Sequence, residues 1–460
     1  MAFANILYKS FYWRAIQMGS SFLQNILLAR LLQSAAYAEI YSLVYIYSLV
    51  TGLFTFGLNI GLNYFVARGQ LSIAAARRLI TQVTAVALAG GTGLLFLFRH
   101  AFAYPGLSVG TVLFFAGCQI VGILLTTLAG AVFTARERNH LPVQLAVYAN
   151  GVMILLALAD YQFFDGEQAR QYLFLLYFLF TLIQGLVLFF WLGRLQSAQT
   201  GQMDEPAQTG QLDHPGEPAP PDQRQTGVGA PVSVRMLLRF CFLSFITGFL
   251  FLVGARVGIY LLPYRTTPAE LGNYIQVYKC VEYLGYVTAF LYYPIVTLAA
   301  GNDSAATKEK VLLLVRFSNT LVLLVSLGGI ALGPFLFPLV FGPSFGGMYA
   351  IFWGFIPGLF ALCSSAFLTA WYFGAGHIRY NLVSAIVQLV TALLLYFLLT
   401  PRWGVRGAGL AYSGGALASF AYDCWMFRRF HVFRLRDLLW VRRADWRLVW
   451  KFSGELLPRR

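Results

Sequence analysis

Apolar runs of roughly twenty residues, the length that crosses a bilayer as helix, alternate with short polar breaks along most of this chain. Clear examples cover residues 12 to 32, 79 to 98, 172 to 192 and 311 to 335. About twelve such spans can be placed, centred near Phe22, Leu49, Ala87, Val121, Met153, Phe180, Leu250, Tyr286, Leu324, Gly358, Val390 and Ser413. Backbone groups in lipid must be satisfied inside their own segment, so these runs predict helices. They are too long and too evenly apolar for barrel strands. The expected fold class is all-α, a polytopic membrane protein with about twelve transmembrane helices. Composition agrees: with 58% hydrophobic and 11% charged residues, a soluble chain of 460 residues could not hide its apolar surface.

One long polar interruption breaks the series. Residues 194 to 233 hold Pro206, Gly210, Pro215, Gly216, Pro218, Pro220, Pro221 and Gly229 among polar neighbours, a composition that buries no core and reads as a disordered linker. It leaves six spans on each side, the pattern of a duplicated transporter. The expected organisation is an N-lobe (1–193), the linker (194–233), a C-lobe (234–427) and a tail (428–460). In the tail, Arg434, Arg436, Arg442, Arg443 and Arg447 alternate with Phe433, Leu438, Trp440, Trp446 and Trp450, as in an amphipathic basic helix lying on a membrane surface.

The distribution of charge sets the topology. Most of the 33 Lys and Arg fall on the side of the N-terminus, and the opposite loops hold Arg99, Arg170, Arg265, Arg402 and Arg406. By the positive-inside rule both termini are cytoplasmic. The net charge of +15 then reflects topology against an anionic leaflet rather than nucleic-acid binding. The first span is of full length, with Lys9 and Arg14 beside it, and reads as an anchor rather than a cleaved signal. Cys118, Cys241, Cys280, Cys363 and Cys424 have no paired spacing and read as packing residues, not as disulfides or metal ligands.

Polar groups at membrane depth are costly and therefore draw the functional question. Arg14, Gln17, Ser21, Gln24 and Asn25 form a stripe about 100° wide on the first span. It implies a water-filled groove or a polar contact between helices. Arg256 and Lys279 stand on consecutive spans, each about seven residues or roughly 10 Å from the same surface. Two cations at one depth would form an anion site, Arg through its fork and Lys as a point charge. Alternatively, Arg256 snorkels outward and Lys279 is neutralised by Glu282, three residues on. Tyr283 and Tyr286 continue the Lys279 face. Asp423 reads as a local partner of Arg428 rather than a proton relay. No nucleotide-binding or hydrolase motif is present, and no cofactor is expected.

Several short runs then carry a resemblance. Leu28-Ala29-Arg30-Leu31-Leu32, Tyr37-Ala38, Gly57-Leu58 through Gly61-Leu62 and Val66-Ala67-Arg68 resemble the N-terminal signature of polysaccharide flippases of the multidrug/oligosaccharidyl-lipid/polysaccharide exporter superfamily. Leu271-Gly272-Asn273-Tyr274, Leu339-Val340-Phe341-Gly342 and Gly404-Val405-Arg406-Gly407-Ala408-Gly409 are similar to its second half. The resemblance implies two six-helix lobes around a central cavity and alternating access for an undecaprenyl-diphosphate-linked oligosaccharide, in polysaccharide or O-antigen biosynthesis at the bacterial inner membrane. Arg14, Arg256 and Lys279 would then attract the diphosphate, and Gln24, Asn25 and Tyr283 would line the sugar path. The partners implied are the lipid-linked substrate, membrane lipids, and a polymerase with its chain-length machinery. The first span lacks the carboxylate common in the drug-exporting branch. A membrane enzyme of glycan assembly, polymerase or acyltransferase, and an exporter of another amphiphile are the alternatives. The short outer loops leave little room for such an enzyme's active site.

Removing residues 196 to 229 is expected to leave insertion intact, because that stretch buries nothing. Membrane fractionation of the deletion variant tests this, and its absence from the membrane fraction would contradict the reading.

Overall fold

A computed structural model describes residues 2–67, 69–98, 108–136, 138, 140–163, 166–203, 234–301, 305–431, 438, 441 and 445. Among the described residues the chain is built from helices: α1 Ala2–Thr55, α2 Leu58–Ala67, α3 Ile73–Leu97, α4 Val109–Ala135, α5 His140–Phe163, α6 Gly166–Met203, α7 Val234–Leu261, α8 Pro268–Gly301, α9 Ala305–Phe341, α10 Met348–Gly374 and α11 Ile378–Phe430. Nine of these, among the described residues, carry stretches long and apolar enough to cross a membrane. Two of the nine are double. α1 breaks at Gln33 (φ 57°, ψ 176°), and α11 breaks at Gly404 (φ 57°, ψ −135°). With the 34-residue α8, the roughly twelve spans expected from hydropathy are accounted for. Most of the linker, tail residues 432–437, 439–440, 442–444 and 446–460, and Arg68 lie outside the described residues.

The helix ends follow local chemistry. Ser72 and Ser108 cap α3 and α4, each accepting a hydrogen bond from the backbone N–H three residues on. Phe56 and Gly57, both at positive φ, separate α1 from α2. Pro334 and Pro338 are tolerated inside α9.

The helices gather into two compact units that interleave along the chain. One comprises Phe54–Ala146 and Phe178–Phe242. Its centre is a close crossing of α4 and α6. A Cβ on Gly185 would sit 2.6 Å from the Gly122 carbonyl oxygen, so only glycine admits that approach. Phe115 and Phe178 stack beside it at 4.7 Å, and the Arg77 guanidinium lies over the Phe189 ring at 5.1 Å.

The other unit comprises Met1–Leu53, Val147–Tyr177 and Leu243–Arg460. Its α10–α11 seam is lined by small residues. The Ser413 hydroxyl donates to the Gly354 carbonyl (2.5 Å) and accepts from the Gly358 N–H (2.8 Å). A second core joins Trp371, Tyr372, Phe427, Val311 and Val315. Leu438 of the tail belongs to that core. The Leu438 carbonyl accepts from Asn319 Nδ2 (2.6 Å), the Val441 N–H donates to Thr320 Oγ1 (3.1 Å), and Asp445 pairs with the buried Arg316 (2.6 Å). At these positions the tail is packed on α9.

Gly358→Ala is expected to strain the α10–α11 seam, since its Cβ would lie 2.6 Å from Ser413 Oγ and 2.7 Å from Ser413 Cα. Overpacking of this kind costs about 1–3 kcal/mol. A thermal-unfolding midpoint in detergent equal to that of the parent would show the seam to be looser than drawn.

Candidate functional site

The break at Gln33 creates the site. Residues 25 and 37 would lie about 18 Å apart along one continuous helix. With α1 folded back at Gln33, the Tyr37 hydroxyl donates to Asn25 Oδ1 at 2.6 Å. Both side chains are buried. Past the break, Tyr37, Tyr41 and Tyr45 recur every fourth residue and present a row of rings on one face of the helix.

The charged residues of α7 and α8 meet that row. Lys279 Nζ donates to Asn25 Oδ1 at 3.1 Å and sits 3.4 Å from the centre of the Tyr41 ring. Arg256 Nη2 donates to Glu282 Oε1 at 2.9 Å, and its guanidinium lies over the Tyr45 ring at 4.7 Å. The Tyr45 hydroxyl donates to the other oxygen of Glu282 at 3.1 Å. The alternative pairing of Lys279 with Glu282 within α8 does not form. Glu282 serves Arg256 from the neighbouring helix, and among the described residues Lys279 makes no ion pair. Nor does Arg256 snorkel, because a carboxylate and a ring hold it within the bundle. Two basic side chains thus stand near one carboxylate, a formal excess of positive charge. The ring faces are the negative side of the tyrosine quadrupole and meet part of that charge.

Further polar atoms here have no hydrogen-bond partner. They are Asn25 Nδ2 and both amide atoms of the fully buried Gln276. Buried polar groups are nearly always satisfied. A concentration of unsatisfied ones beside two cations suits a polar, anionic ligand.

The remaining expected site residues are placed differently. Tyr283 donates to the Ser21 carbonyl (3.0 Å), and its ring meets Phe22 at 5.3 Å and the exposed Tyr286 at 6.1 Å. Asn150 of α5 donates to the Ser20 and Ser21 hydroxyls (3.0 and 2.8 Å). At Ser21 and Asn25 the first-span stripe makes polar contacts between helices. Gln24 is half-buried beside it. Arg14, also half-buried, is eleven residues from Asn25, about 16 Å along the helix, and does not join the cluster. The tyrosine row and the Arg256–Glu282 pair went unforeseen. The fourfold spacing of Tyr37, Tyr41 and Tyr45 was the available signal. No group of three His, Cys, Asp or Glu side chains able to hold a metal occurs among the described residues.

No family model and no curated protein matches this sequence. Solved structures match its fold. An inward-facing multidrug resistance MATE family transporter of the MOP superfamily superposes with a TM-score of 0.62 at 13% identity, covering 90% of this chain and 94% of its own. The lipid II flippase MurJ in an inward closed conformation gives 0.62 at 11% identity, covering 99% and 93%. The MATE transporter ClbM in complex with Rb+ gives 0.56 at 14% identity, covering 97% of each chain. The chain is a multi-pass membrane protein that shares its fold with these transporters and with the flippase.

Glu282→Leu is expected to destabilise the protein by about 1–3 kcal/mol, because removing one member of a half-buried pair leaves the other without its partner. Arg256→Met together with Glu282→Leu is expected to recover most of that loss. Thermal unfolding of both variants tests this, and a stable single variant would mean that Glu282 holds nothing.

Proposed function

We propose that this protein is a flippase for an undecaprenyl-diphosphate-linked oligosaccharide, carrying it from the inner to the outer leaflet of a bacterial plasma membrane with both termini cytoplasmic. The observation that carries the reading is two basic side chains, Arg256 and Lys279, set against the single carboxylate of Glu282 among tyrosines, all half-buried within the spans of a transporter fold. A charge at that depth is costly and persists where it serves a ligand or pathway. Lys279 is the group offered to the diphosphate, because Arg256 is already engaged by Glu282. A phosphate oxygen would replace Asn25 Oδ1 as its acceptor. The tyrosine faces suit sugar rings, which present apolar C–H surfaces.

The lipid tail stays in the bilayer while the headgroup crosses, so no covalent bond is made or broken and the protein is not an enzyme. A second lipid-linked class fits the same cluster less well. A substrate with a cationic headgroup would meet the excess charge with repulsion. In this reading a polymerase and its chain-length machinery act downstream on the flipped substrate, in O-antigen or exopolysaccharide assembly.

The test is protein-dependent flipping in liposomes of a fluorescent undecaprenyl-diphosphate oligosaccharide, read as the fraction quenched by an impermeant reductant. Lys279→Ala is expected to slow flipping by about tenfold to a hundredfold, since a charge-assisted hydrogen bond is worth about 1.5–3 kcal/mol. Arg256→Ala is expected to act in the same direction. Full-rate flipping by Lys279→Ala would remove that residue from the site. Equal flipping of a lipid bearing a cationic headgroup would overturn the anionic substrate class.

A further inference from the structure

A second buried ionisable group lies apart from this cluster. Asp423 belongs to the last two turns of α11, seven residues or about 10 Å from its end at Phe430. Its side chain is fully buried, and neither carboxyl oxygen has a hydrogen-bond partner of ordinary geometry. The pairing with Arg428 expected from sequence does not form, for Arg428 is exposed while Asp423 points inward. What faces the carboxyl are two hydroxyls, Ser365 of α10 and Ser384 from the first half of α11. Both are buried, and both are otherwise without partners. Tyr372 of α10 donates to the Asp423 main-chain carbonyl at 2.5 Å, so its hydroxyl is committed elsewhere. Tyr422 and Cys424 are the titratable neighbours on its own helix. Among the described residues no cation acts on the carboxyl.

Around this polar spot the packing is apolar, with Phe367, Trp371, Cys424 and Phe427 in one core. An ionised carboxylate there would stand uncompensated, at an effective cost of several kcal/mol. One carboxyl and two hydroxyls make a thin oxygen shell for a metal ion, whereas a proton needs one oxygen to sit on and one neighbour to accept its hydrogen bond. Asn381 lies one turn before Ser384 on the same face of α11. Its Oδ1 is also buried and unpartnered. It extends the row of acceptors toward the helix start at Ile378.

We propose that Asp423, flanked by Ser365 and Ser384, is a proton-binding site of the transporter, loaded and emptied as the α10–α11 packing changes during the cycle. The site stands on its own geometry. Its role as the coupling step rests on the transport reading above.

The experiment is infrared difference spectroscopy of the full-length protein in lipid, titrated across its stable pH range. A protonated-carboxyl C=O band that titrates and is lost in Asp423→Asn is expected, with its midpoint moved by Ser384→Ala. If Asp423→Asn does not fold, Asp423→Glu is expected to shift the frequency of that band and so keep the assignment. A band that never titrates makes Asp423 a structural neutral acid and overturns the proposal, as does the lack of any Asp423-dependent band. Saturable binding of radioactive Na+ that Asp423→Asn abolishes would overturn it in favour of a metal-ion site. In the flipping assay, wild type is expected to respond to an imposed pH gradient and Asp423→Asn to lose the response. A chain that shows the titrating band but flips no lipid would sink the substrate reading while leaving the proton site in place.

Discussion

The constraint on which the rest depends is the break in the first helix at Gln33. Its backbone (φ 57°, ψ 176°) occupies a region almost confined to glycine. A residue held there costs about 1–3 kcal/mol and persists where its surroundings over-determine it. Here they do. Arg30, just before the break, donates to the Leu339 and Val340 carbonyls at the end of α9. The Ser34 N–H, just after it, donates to Ser344 Oγ at 3.0 Å. The turn is clamped on both sides, and the two halves of α1 bring Asn25 and Tyr37 together. Without the break, Lys279 would lose Asn25 or the tyrosine row.

Electrostatics then decide which cation is held and which is available. At the separations seen, an ion pair in a low-dielectric bundle is worth far more than a ring contact or a neutral hydrogen bond. Glu282 therefore fixes Arg256, and the weaker contacts fall to Lys279. The distinction between Arg and Lys serves the same end. The planar fork reaches a carboxylate while stacking on Tyr45, and the ammonium keeps three donors that turn freely.

How much of this could be read from the chain follows from what each signal measures. The spans were legible because hydropathy over twenty residues reports burial in lipid whatever the packing. Arg256 and Lys279 were legible for the converse reason, as charges where none belongs. Their partners were not. Spacing within a helix favours Lys279 with Glu282, but helix crossing delivers Arg256 to that carboxylate. The first-span stripe had two readings, groove or helix contact. Tyr37, which buries Asn25, and Asn150, which meets Ser21, supply the contact at those two positions, and both come from beyond the span itself. Asp423 failed in the same way, since proximity in sequence to Arg428 says nothing of which side of α11 faces the core.

At the clamped turn, the main chain of Ser34 rests on Gly272 so closely that any Cβ there would collide with the Ser34 carbonyl. The contact is backbone against backbone, with no side chain between. Such a joint has no rotamers to freeze when it closes and none to release when it parts. The helix α8 that bears Lys279 begins four residues before that glycine. Any parting of the joint would therefore be transmitted along a rigid rod to the cation two turns further on.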